Sequence, residues 1–225
     1  ICSCIKMATA KHVWVVSDDD RIFDETLPKV ISLLRNSSNL GLLFLNYSFY
    51  DLEKKISTQK GFPLEEKESQ NGQELFEEVF TLKNGWGALV FTTALIYRTD
   101  LAQQAIAEWE VGVENLMFQL YITAFCALHG PMRITKETYL EYAHGRSFFI
   151  AKKYFIKLHY VDTIAIYLKM MRMGYSKRLC KRNILNIFRE PQEWILATTL
   201  LIKRPLLTMK SVGFGFVLAI KALAI

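Results

Sequence analysis

Lys11 to Leu34 reads KHVWVVSDDDRIFDETLPKVISLL, and the reading of this stretch decides the fold. "HVWVVS" (12–17) is β-branched and aromatic and bounded by charge, which predicts a buried strand. Three adjacent aspartates, Asp18, Asp19 and Asp20, stand at its end. Beyond them Leu27, Val30, Ile31 and Leu34 recur at i, i+3, i+4 and i+7, the spacing of one apolar helix face. Asp24 is the expected N-cap, and Pro28 is tolerated in a first turn. "NSSNLG" (36–41) stops that helix, and "LLFLNYSFY" (42–50) is a second strand. Strand, helix, strand with short connections favours a right-handed βαβ unit and parallel strands.

Adjacent carboxylates repel, and burying them unpaired is costly. One resolution is a solvated turn that caps the next helix. The other is a divalent cation, Mg²⁺ or Mn²⁺, which takes oxygen ligands from one or two carboxylates and from substrate phosphates. Position favours the cation, because ligands of open α/β sheets bind outside the carboxyl ends of strands. Two enzymatic uses of a strand ending in Asp-x-Asp stay open on residues alone. One is transfer from a nucleotide-sugar. The other is a haloacid-dehalogenase-like phosphatase with Asp18 as nucleophile and Asp20 as general acid/base. The phosphatase pattern wants Thr or Val two residues on, where this chain has Ile22, and it wants a further acidic pair that is not evident.

Further along, residues 51–73 are polar and read as an exposed loop or lid. "GQELFEEVF" (72–80) is a short amphipathic helix, and "NGWG" (84–87) is a turn. "ALVFTTALIYR" (88–98) is open between strand and short helix, and "LAQQAIAEW" (101–109) is helical. From Glu114 a helix is expected with the stripe Leu116, Met117, Leu120, Tyr121, Ala124, Phe125 and Leu128. Residues 131–146 read as a strand and a loop. Residues 148–188 read as two basic amphipathic helices split near "MGYS" (173–176), followed by apolar segments with sparse cations.

The stretch from Lys11, with "LGLLFLNYSFY" and "WGALVFTTALIYRTDL" (86–101), resembles family 2 glycosyltransferases of the bacterial surface-polysaccharide type. The resemblance covers residues 5–146. It implies a partial GT-A fold, an α/β Rossmann-like mixed sheet with flanking helices, over 1–146, then a basic helical C-terminal region over 147–225. It implies a metal-dependent, inverting transfer of a sugar from a nucleotide-sugar donor to a saccharide or polyprenyl-linked acceptor. Asp20 and Asp18 would hold Mg²⁺ or Mn²⁺, and Asp18 and Asp19 would face the donor. Asn46, Trp86 and Arg146 would line the donor cleft. Glu114, or Glu110 second, would be the catalytic base, although the family's usual Glu-Asp pair is Glu114-Asn115 here. The family places a nucleobase-binding portion of ~80–100 residues ahead of the aspartates, by analogy to the first half of doubly wound folds. Only residues 1–17 precede Asp18, so that portion is expected to be missing from this chain.

The net charge of +6 conceals an asymmetry. Residues 1–135 hold 12 Lys/Arg and 17 Asp/Glu, a net of −5, whereas 136–225 hold 16 and 5, a net of +11. No nucleic-acid reader motif accompanies the basic half. Basic helices carrying Trp, Phe and Leu suit an anionic lipid surface, so a peripheral membrane partner is expected, and no nucleic acid. A spanning helix wants ~20 mostly apolar residues, and the cations after residue 202 interrupt such a run. Cys2, Cys4, Cys126 and Cys180 match neither a disulfide framework nor zinc spacing, and fit a reduced cytosolic protein. With the basic half, the expected place is cytoplasmic, peripheral at the inner face of the cell membrane. The non-catalytic alternative is a membrane-associated helical remnant whose acids only cap a helix.

Overall fold

In a computed structural model of the chain, the apolar run from Leu42 becomes β3 (Leu42–Asp51), the central strand of a seven-stranded mixed sheet. The structure describes residues 1–37, 39–51, 53–59, 64–82, 85–144, 154, 157–189, 202 and 205–224. Two compact units are present, one of residues 1–113 and 122–146 and one of 114–121 and 147–225.

The first unit is the sheet. Its order is β1 (His12–Trp14), β6 (Leu95–Arg98), β3, β7 (Met132–His144), β2 (Arg21–Ile22). β4 (Ile56–Gln59) pairs with β3, and β5 (Lys67–Ser69) pairs with β7. β3 and β7 are parallel, whereas β6 runs antiparallel to both β1 and β3. β1 and β3 therefore point the same way, as the βαβ reading requires, but β6 is inserted between them. The sheet is mixed, as the family resemblance implies, and not the parallel pair that the connections alone suggest. The two edge strands β4 and β5 lie in what reads as a loop from sequence, because their polar faces give no apolar alternation.

β3 is central for a physical reason. Leu42, Leu43, Phe44 and Leu45 are all completely buried, so both faces of the strand are covered. An unbroken apolar run is what a doubly covered strand needs, and each such side chain contributes about 1.5–3 kcal/mol on burial. Gly41, just before it, meets Gly130 at the entry to β7. A Cβ on Gly41 would stand 2.5 Å from the Cys126 carbonyl and 2.9 Å from the Gly130 Cα. No side chain fits that approach.

Helices flank the sheet: α1 (Cys2–Met7), α2 (Thr26–Asn36), α3 (Gly72–Thr81), the turn α4 (Gly85–Ala88), α5 (Thr99–Glu108) and, from residue 122, α6 (Phe118–Leu128). α2 corrects two expectations. It begins after Glu25, not Asp24, and no side chain caps it. Its buried residues are Thr26 and Val30, while Leu27 and Ile31 are exposed. The Thr26 hydroxyl donates to the Tyr139 carbonyl at 2.5 Å, and that bond rotates the helix off the periodicity optimum.

The second unit holds helices α7 (Thr163–Met173), α8 (Lys177–Arg189) and α9 (Pro205–Ala224), preceded by a widened turn over Leu158–Asp162. Gly174, at φ 112°, ends α7 where "MGYS" reads as a break. Asp162 anchors the unit: it accepts from the Leu116 amide at 3.0 Å and from Lys157 Nζ at 2.6 Å. Among the described residues no helix is long and apolar enough to cross a membrane.

Candidate functional site

The β1 ladder ends at Trp14, opposite Ile96, and the next ladder, β2 against β7, begins at Arg21 opposite Glu141. β1 and β2 are the opposite ends of the strand order. The segment between them must therefore cross four strand spacings, roughly 19 Å at ~4.8 Å each. Seven residue steps from Trp14 to Arg21 reach roughly 23–25 Å fully extended. The chain has little slack, and the ladders set Trp14 level with Leu43 and Arg21 level with Ser48, so Asp18, Asp19 and Asp20 cross beside the second half of β3 and β7. The expected strand 12–17 is thus shorter than predicted. Val13 is buried, but Val16 is 43% exposed because it has already entered the crossing.

Two bonds tie the crossing down at Asp20. Thr93 Oγ1 donates to Asp20 Oδ2 at 2.5 Å, and the Ala143 amide donates to Oδ1 at 3.2 Å. Thr93 is completely buried, just before β6, and Ala143 lies at the end of β7. The same Thr93 oxygen accepts the Ser17 amide at 3.1 Å, and the Thr93 carbonyl accepts Trp14 Nε1 at 2.8 Å. Burial pushes the Asp20 carboxyl above the usual aspartate range, and the Asp19 charge adds to this, while the Thr93 and Ala143 bonds pull it back. Asp18 and Asp19 are exposed, and Ser17 Oγ donates to Asp19 Oδ1.

Beneath this turn lies an aromatic floor. The Tyr47 ring stands 4.5 Å from Phe91 and 5.6 Å from Phe49, and Tyr142 stands 5.0 Å from Phe91. Burial, with Tyr142 and Asp20 as neighbours, drives the Tyr47 hydroxyl well above the tyrosine range. Beside the floor Glu141, 4% exposed, pairs with Arg21 at 2.8 Å and accepts from Ser57 Oγ. Arg21 also lies over the Tyr50 ring at 4.4 Å. A buried carboxylate thus fixes the first residue after the aspartates.

The remaining sequence-predicted residues fall as follows. Asn46 is 2% exposed and its side chain is spent within the sheet. Its amide donates to the Lys136 carbonyl at 3.0 Å, and its carbonyl accepts from the Tyr47 amide at 2.9 Å. Both bonds sit at the register shift between β3 and β7. Trp86 is half-buried on α4. Arg146 lies outside the described residues. Glu110 and Glu114 open and close one 3-10 turn, and both are exposed. The α6 helix starts only at Phe118, so Glu114 does not directly precede it as the apolar stripe suggests. Glu114 belongs to the second unit, where its carbonyl accepts from Lys157 Nζ at 3.2 Å.

Thr93, Ala143 and Glu141 are the residues that sequence reasoning misses. Thr93 and Asp20 are 73 positions apart, and nothing local marks either partner.

The donor set tests the implied cation. Among the described residues no group of three or more His, Cys, Asp or Glu converges to hold a metal. No all-protein cage is formed by those residues. This leaves the mode in which Mg²⁺ or Mn²⁺ keeps several waters and takes one or two carboxylates plus substrate phosphate. Exposed Asp18 and position-locked Asp20 fit that mode, since each carboxylate oxygen of Asp20 has lone-pair capacity beyond its one bond.

No protein-family model matches the chain, and no curated protein matches it. Among solved structures it is similar to a crystal structure of S. aureus TarS, residues 1–349, with 16% identity and a TM-score of 0.40. The match covers 86% of this chain and 45% of that one, so this chain spans about half the length of the structure it matches.

Proposed function

We propose that the chain is the aspartate-bearing part of a glycosyltransferase that takes its sugar from a nucleoside-diphosphate donor. The supporting observation is the crossing turn. It holds Asp20 by two hydrogen bonds, from Thr93 just before β6 and from Ala143 near the carboxyl end of β7, and leaves Asp18 and Asp19 in solvent. An acid triplet used only as a helix cap needs no such anchoring, and α2 takes no side-chain cap at all.

In this reading Asp20 and Asp18 hold a divalent cation together with the donor diphosphate, and Asp19 faces the donor. The cation, when bound, supplies charge stabilisation to the leaving diphosphate. The chain's own part is positional. Thr93 and Ala143 fix Asp20, and Glu141 fixes Arg21. The sequence resemblance assigns removal of the acceptor proton to Glu114 or Glu110, with Trp86 and Arg146 toward the donor. Inversion at the anomeric carbon follows from a single displacement.

Calorimetry of the chain with UDP and with GDP, each with and without Mn²⁺, tests this. Heat of binding that requires Mn²⁺ and disappears in Asp20→Asn is expected. Metal-independent binding, binding unchanged in Asp20→Asn, or no Mn²⁺-dependent heat even with pyrophosphate in place of the nucleotide, would remove the reading. Loss of turnover in Glu114→Gln but not Glu110→Gln, in an enzyme shown to transfer, would choose between the two bases.

A further inference from the structure

α9 packs on the second unit by a narrow face. Thr208, Gly215, Ala219 and Ala222 are buried, and they fall on one side of a helix turning 100° per residue. Gly215 brings α9 against the Tyr160 carbonyl, where a Cβ would stand 2.1 Å away. The opposite side of α9 is largely apolar. Met209, Phe214, Phe216, Val217, Ile220 and Leu223 are between 40% and 65% exposed. An outward row of large apolar residues on a helix already packed by its other face marks an interaction surface.

Charge says what that surface meets. Lys210 and Lys221 are exposed on the same outer side, roughly 16 Å apart along the helix. α8 runs beside α9: the Phe188 and Phe216 rings are 4.8 Å apart, and Lys181 Nζ donates to the Leu223 carbonyl at 3.0 Å. On α8 the exposed cations Arg178, Arg182 and Arg189 fall within one arc, and none of them joins an ion pair among the described residues. The acids of the second unit that the structure describes are Asp162, which is buried, and Glu114. An apolar strip bordered by cations, with no exposed acid on α8 or α9 among the described residues, is complementary to a lipid interface with anionic headgroups.

We propose that the outer face of α9, with the basic arc of α8, docks the second unit on an anionic bilayer surface, lying in the interface without crossing it. This surface does not rest on the aspartate site, and neither proposal falls with the other.

Co-sedimentation of the full chain with phosphatidylcholine vesicles, and with vesicles of equal parts phosphatidylcholine and phosphatidylglycerol, tests it. The chain should pellet with the anionic vesicles, much less with the neutral ones, and should be released by high salt. Val217→Glu/Ile220→Glu should abolish binding. Lys210→Gln and Lys221→Gln should each weaken it about fivefold, the worth of one cation near such a surface. All four positions are solvent-facing, and circular dichroism of the variants should match that of the unaltered chain. Leu27→Glu/Ile31→Glu, on the exposed apolar side of α2 in the other unit, should bind as the unaltered chain does. Equal binding to neutral vesicles, or full binding by Val217→Glu/Ile220→Glu, would overturn the proposal. So would a dimer in gel filtration that this double variant converts to monomer, because the face would then be covered by a second copy.

Discussion

Replacing Thr93 by Val removes one hydroxyl and two hydrogen bonds while nearly conserving shape. Thr93 Oγ1 donates to Asp20 and accepts from the Ser17 amide, and Thr93 itself is completely buried. A hydrogen bond to a charged group contributes about 1.5–3 kcal/mol, and the lower end applies because Asp20 is only half-buried. The Ser17 bond adds about 1 kcal/mol. Thr93→Val should therefore cost about 2–3 kcal/mol near neutral pH, read from urea unfolding. Thr93→Ser, which keeps the hydroxyl, should cost much less. The pH dependence carries a sign. Asp20 is raised on folding, chiefly by burial. An acid raised in this way adds stability as pH falls through its folded pKa, and the gain is complete below its ordinary value. Thr93→Val removes a bond that holds the carboxyl down, so the folded pKa rises further. The deficit of the variant should shrink on acidification, because the neutral carboxyl loses less than the carboxylate. Equal damage from Val and Ser, or a deficit that grows in acid, would refute the latch.

Other outcomes follow from the same geometry. Gly41→Ala should cost about 1–3 kcal/mol in the same assay, since its Cβ meets backbone that cannot yield. Glu141→Ala should cost about 1–3 kcal/mol by stripping Arg21 and Ser57 of their shared carboxylate, with Arg21 screened by its exposure. Burial lowers His159 to about 4 from 6.5. A base depressed on folding stabilises above its unfolded pKa, so about 3 kcal/mol should be lost as pH falls from 6.5 toward 4, and His159→Gln should flatten that slope in acid titrations of unfolding. A thiol reagent should label Cys4, which is exposed, in the native chain. Cys126 and Cys180 are buried, burial pushes the Cys126 thiol up, and both should react only after unfolding.

What the sequence makes legible is what local pattern carries. The β3 run, the α3 and α5 helices and the break at Gly174 all follow from composition and period within a window of ten residues or so. What it hides depends on partners far along the chain. β6 enters between β1 and β3 only because a later segment pairs with both, and Leu95–Arg98 is too short to announce itself. α2 turns its Leu27 side outward because Thr26 bonds a residue 113 positions away. At the site, the aspartates are visible by charge alone, but their anchoring is not. Thr93 lies in an apolar stretch that reads equally as strand or helix, and Glu141 looks like any polar residue alternating on a strand. Asn46 shows the converse. Its position after an apolar run suggests a cleft residue, yet its amide is occupied in accommodating a shift of register between parallel strands. The start of α6 is misplaced for a related reason: the apolar stripe runs back through Leu116 and Met117, which are turn residues held in part by Asp162.

The central claim is that Asp20 is a positioned ligand for a divalent cation shared with a diphosphate. Electron paramagnetic resonance of Mn²⁺ tests it most directly, because the free-ion signal falls as the ion is bound. With pyrophosphate present at a fixed level, the chain should deplete the remaining free Mn²⁺ signal in proportion to protein added, and Asp20→Asn should leave that signal where pyrophosphate alone puts it. Identical titrations for the two proteins would contradict the account.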